Sequence, residues 1–164
     1  MLEIAGAIKL LHALVGVLFV GGLIGRWVTL SQASRATQIS DLRAMLRVSA
    51  RFERIVVATS LFVLLLGLLT AIAQGRPFLG PLQGGTVDWL FVSLVVYLSA
   101  LPLVPLVFLP RGQVFDAVLK EAGVDGVVGP RLSAALRDPV VYAAHVYELG
   151  AMVVVLVLMI AKPF

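Results

Sequence analysis

Cysteine is absent from this sequence, histidine occurs only twice, and charged residues make up just 13% of it. The missing cysteine excludes disulfides, iron–sulfur clusters, thiolate metal sites and cysteine nucleophiles. The shortage of charge is as informative. A soluble domain of 164 residues needs a charged outer face, and a chain that is 60% hydrophobic cannot supply one.

What the chain has instead is long apolar runs. Four of them, at about 4–25, 55–74, 89–109 and 139–161, each supply some twenty residues. At 1.5 Å per residue such a run crosses a hydrocarbon core of about 30 Å. The first run is read as a retained span, because Glu3 sits in its leading segment and its apolar stretch exceeds that of a signal peptide. The expected fold is all-α: a four-helix transmembrane bundle, up-down-up-down, forming a single integral membrane domain over 1–164.

The basic residues are sorted by connection. Arg26, Arg35, Arg43, Arg47, Arg51 and Arg54 fall between runs one and two, and Arg111, Lys120, Arg131 and Arg137 between runs three and four. Only Lys9, Arg76 and Lys162 lie on the other side. This bias assigns both basic connections to the cytoplasm and both termini to the outside of a bacterial inner membrane. The net charge of +4 is thus a membrane signature, and no nucleic-acid partner is expected. Arg43, Arg47, Arg51 and Arg54 recur at helical spacing, as expected of a charged extension of helix two at anionic headgroups. Asp116 and Lys120 share one face of a short amphipathic cytoplasmic helix expected to begin after Gly112. Gly123, Gly126, Gly129 and Pro130 then break it, and Asp138-Pro139 opens helix four.

Packed faces within a bilayer are marked by small and polar residues. Helix one carries Gly16, Gly21, Gly22 and Gly25, with Gly21 and Gly25 forming a GxxxG. Helix two lines up Thr59, Gly67, Thr70 and Gln74. Helix three offers Ser93, Tyr97 and Ala100 before Pro102 and Pro105, which should kink or end it. Lys9, His12, Gly16, Phe19 and Arg26 follow one helical repeat. On helix four Tyr142, His145, Glu148 and Met152 do the same.

Glu148 lies near mid-membrane, where a lone carboxylate costs several kcal/mol unless paired, protonated or hydrated. His145, one turn away, is its obvious local partner. His12 and His145 are the candidate cofactor or metal ligands, and Glu148 the candidate for proton or ion handling. Counting rise from the ends of the runs puts the two histidines about 9 Å apart in depth. That offset favours one histidine per site over a single bis-histidine haem.

The stretch LHALVGVLFVGGL (11–23) resembles the first helix of a bacterial four-helix family of predicted integral membrane proteins. The ending LMIAKPF (158–164) is similar to that family's close. The first-helix pattern also resembles the copper-resistance D-type proteins and the J-type protoporphyrinogen oxidase. The latter resemblance implies a b-type haem on an intramembrane histidine, carried here to His12, although Phe19 stands where that enzyme has tryptophan.

Three readings follow. One is a haem-binding or redox-linked membrane protein, the second a metal-ion or proton transport component working as a homo-oligomer. The third is a non-catalytic subunit of a larger membrane complex. No catalytic residues are assigned.

Overall fold

In the computed structural model, residues 2–123 and 126–163 are described, with side chains from Ile4 onward. Phe164, the last residue of the LMIAKPF ending, lies outside them. The apolar runs become helices, and those of the first two runs extend beyond the runs themselves. Helix α1 spans Leu2–Ala33 and α2 spans Ile39–Ala73. Helices α3 (Trp89–Ala100) and α4 (Leu109–Glu121) form the third crossing, and α6 (Pro139–Ala161) the fourth, preceded by the short α5 (Pro130–Leu136). Four helical stretches are long and apolar enough to cross a membrane. The 32 residues of α1 measure about 48 Å at 1.5 Å per residue, so the helix outruns a core of about 30 Å.

The first basic connection is therefore a tight turn between two helices, and Arg26 belongs to α1 rather than to a loop. Arg43 is also more than a solvated charge. Its guanidinium donates to the Gly123 carbonyl at 2.6 Å and to the Leu119 carbonyl at 3.2 Å, satisfying groups at the end of α4. A small core of Ala33, Leu42, Val118 and Leu132 closes this basic end. Backbone bonds from Ile39 N–H to the Gly126 carbonyl and from Val128 N–H to the Thr37 carbonyl tie the two connections together.

Pro102 and Pro105 interrupt the third crossing, as proline's missing N–H requires. Residues Val104–Phe108 adopt a π turn, in which the Leu109 N–H reaches back to the Val104 carbonyl. Helix α4 resumes at Leu109 and runs through Gly112, so no separate helix starts after that glycine.

Helices α1 and α2 form one closely packed hairpin. Glycine permits the contact: a Cβ on Gly22 would stand 3.0 Å from Val56, and one on Gly25 would collide with the Phe52 ring. A Cβ on Gly16 or Gly21 would meet nothing within 4 Å. The packed pair is therefore Gly22/Gly25 at i, i+3, and the expected Gly21/Gly25 motif is corrected on that point. Helices α3 and α6 pack on each other as the second pair. Phe19, Leu23, Val56, Tyr97, Ala100, Ala151 and Met152 form the central core that joins the pairs. The Tyr97 hydroxyl donates to the Ser60 carbonyl at 2.7 Å across the same seam. At the other end, Ala71, Trp89 and Leu90 form a smaller core, with Arg76 and Lys162 each 5.5 Å from the Trp89 ring.

Candidate functional site

Helix α1 presents Phe19, Leu23 and Arg26 at steps of four and three, so the arginine continues the face that the two apolar residues bury. Arg26 is only 4% exposed. A guanidinium survives such burial when carboxylates take up its donors. One terminal nitrogen donates to Glu53 of α2 at 2.7 Å, and the other to Glu148 of α6. Arg26 thus links three helices from both halves of the bundle. Its Nε is enclosed and unpaired.

Glu148 accordingly has its hydrogen-bonded ion-pair partner on α1, with the expected partner His145 also within ion-pair distance on its own helix. Its distance to the His145 Nδ1 is 3.7 Å, beyond hydrogen-bonding range. The Nδ1 of His145 instead faces the second terminal nitrogen of Arg26 at 3.4 Å. Arginine can only donate, so Nδ1 must supply the lone pair and the ring proton sits on Nε2. The His145 ring is buried and stacks on Phe108 at a centroid distance of 4.6 Å. The Arg26 guanidinium lies 5.4 Å from the same Phe108 ring. The π turn is what ends in Phe108 and so positions this aromatic plate.

Arg26, Glu53, Phe108 and His145 of this group line a cavity of about 780 Å³ between the helix pairs at the basic end. Trp27, Leu30, Phe108, Phe115 and Tyr142 are among its walls. Arg111 stands at its edge, paired with Asp138 at 2.6 Å.

His12 lies elsewhere. It sits fourteen residues before Arg26 on α1, about 21 Å along the helix axis. Since Arg26 touches His145, the two histidines cannot share one iron. The separation exceeds the 9 Å expected from run lengths because α1 continues straight past Gly25 instead of ending there.

His12 is half-buried against α2. Its Nδ1 is 3.1 Å from the Val63 carbonyl oxygen. A carbonyl can only accept, so here the ring proton is on Nδ1 and Nε2 keeps its lone pair. The imidazole occupies space left by Gly67, where a Cβ would stand 3.1 Å from the ring. The two histidines are therefore held as opposite tautomers by their partners.

No sequence pattern marks Arg26 and Glu53 as partners in this network. The signal for Arg26 was the repeat it shares with His12 and Phe19; counting it as a loop charge hid it. Glu53 shares a face of α2 with Ser49 and Val56, both buried. Among the described residues, no group of three or more His, Asp or Glu side chains is arranged to hold a metal ion.

Residues 6–163 match the family described as "Predicted integral membrane protein (DUF2269)", and the chain belongs to that family. It is an integral membrane protein with four spans. No curated protein and no solved structure matches it.

Proposed function

We propose that this member of the predicted integral membrane protein family binds one b-type haem through His12 and takes part in membrane redox chemistry. The observation that carries the reading is the His12–Val63 hydrogen bond. Histidines that ligate a metal commonly donate their other ring N–H to a carbonyl or carboxylate, which fixes the tautomer and raises ligand basicity. His12 has that arrangement, and its Nε2 lone pair is the group an iron requires.

Gly16, one turn along the same face, leaves open space where a side chain would stand. Apolar residues dominate this half of α1. A haem held here would supply one-electron redox chemistry. His12 would hold the iron, the Val63 carbonyl would orient the imidazole, and Gly67 would keep the ring's seat clear. His145 is not a second ligand of that iron. By the positive-inside bias, the His12 end faces the outside of the bacterial inner membrane and both termini lie there.

Reconstitution tests the assignment. Haemin added to the purified protein should give a stoichiometric, saturable Soret change that His12→Ala abolishes and His145→Ala spares. Equal binding by the His12→Ala protein would overturn it.

A further inference from the structure

The cavity at the basic end has a floor of defined chemistry, and it lies about 21 Å along α1 from His12. Its volume of about 780 Å³ falls in the range of sites for small organic molecules, about 300–1,000 Å³. The charge on that floor selects among ligands. Arg26 on that floor is paired with Glu53, which also lines the cavity, and with Glu148, which lies outside the lining, so the cluster carries no surplus positive charge. The edge is balanced as well, since Arg111 is paired with Asp138, and Arg137 and Asp116 oppose each other in sign. A carboxylate or phosphate would therefore find no surplus positive charge to hold it at the floor.

The hydrogen-bonding capacity points the other way. With its Nδ1 turned to Arg26, His145 offers the cavity an Nε2–H donor. An unpaired donor in a low-dielectric site favours a neutral acceptor, and the simplest is a carbonyl oxygen. Trp27 also lines the cavity and supplies an aromatic ring suited to stacking on a flat head group. Apolar side chains, among them Leu30, Leu46, Val104, Leu109 and Leu136, line the rest of the cavity and suit the apolar part of an amphiphile.

We propose that this cavity binds the head group of a neutral carbonyl-bearing amphiphile of the quinone class, with His145 Nε2–H donating to a ring carbonyl. The site is independent of the haem assignment at His12.

Tryptophan fluorescence provides the test. Of the two tryptophans, Trp27 lines the cavity and Trp89 belongs to the core at the other end. A ubiquinone analogue with a decyl tail should quench the protein in nanodiscs saturably, and Trp27→Phe should remove the saturable part. His145→Phe should weaken binding about tenfold, the loss expected of one well-placed hydrogen bond, while His145→Gln, which keeps a donor, should stay within about threefold. Gly112→Phe is a second probe that leaves the network alone. Gly112 lines the cavity and a Cβ there meets nothing within 4 Å, so the ring should fill the space and abolish saturable quenching. Decanoate should not compete. Quenching that is linear and unchanged in the Trp27→Phe and Gly112→Phe proteins would overturn the proposal. So would decanoate competing as well as the quinone, which would make the ligand a fatty-acid anion.

Discussion

Arg26 on the first helix and Glu148 on the last form a buried ion pair across the seam between the two helix pairs. The side chains are 5% and 12% exposed, respectively. Removing one member of a buried pair strands the other charge, at a cost of about 3–5 kcal/mol. Glu148→Gln should therefore lower stability by about 3 kcal/mol, the low end of that range, because Arg26 keeps Glu53. The Glu53 side chain is 47% exposed, so Glu53→Gln should cost about 1 kcal/mol or less. Unfolding of the two variants in the same detergent checks the order. Equal losses would show that Glu148 is not the principal counter-ion.

Helix α1 meets α2 through Gly25, whose missing side chain admits the Phe52 ring. Gly25→Leu should destabilise the hairpin by about 1–3 kcal/mol through overpacking. Gly21→Leu, on an open face, should be nearly neutral. Thermal midpoints of the two variants decide which glycine is packed. A larger loss at Gly21 would restore the GxxxG reading or place a further partner on that face.

The orientation has its own test. Ten of the thirteen lysines and arginines lie toward the basic end of the bundle, so a reporter fused after Phe164 should be active only outside the cytoplasm. Activity of a cytoplasm-dependent reporter at that position would invert the topology.

The fold was legible because apolar run length and proline placement act locally. Twenty apolar residues make a span wherever they occur, and Pro102 and Pro105 disturb a helix whatever surrounds them. The face of Ser93, Tyr97 and Ala100 was legible for the same reason, and all three are buried. The site was harder. Hydropathy ends a span at the first arginine and so places Arg26 among the loop charges, whereas the helix continues to Ala33. Its partners Glu53 and Glu148 are 27 and 122 residues away in sequence, and no local pattern pairs them. The His12 contact is to a backbone carbonyl, which every residue possesses, so its sequence carries no mark of it. Gly67, by contrast, was on the expected stripe, and its seat for the imidazole explains why a glycine stands there.

Gly67 also yields a prediction. A Cβ there would stand 3.1 Å from the His12 ring, so a larger side chain must displace the imidazole. Gly67→Val should weaken haem binding about tenfold or more while leaving the Arg26 network and the fold intact. Haemin titration beside a circular dichroism spectrum checks both parts. Full affinity in a folded Gly67→Val protein would separate the His12 seat from the cofactor.

The central claim is that His12 carries a b-type haem, and the absorption spectrum of the protein purified from a haem-replete native host tests it most directly. A haem on His12 should give a Soret band in the oxidised protein and the sharpened α-band of a b-type haem on reduction, both lost in the His12→Ala protein. A colourless preparation that gains no Soret band on adding haemin would contradict it.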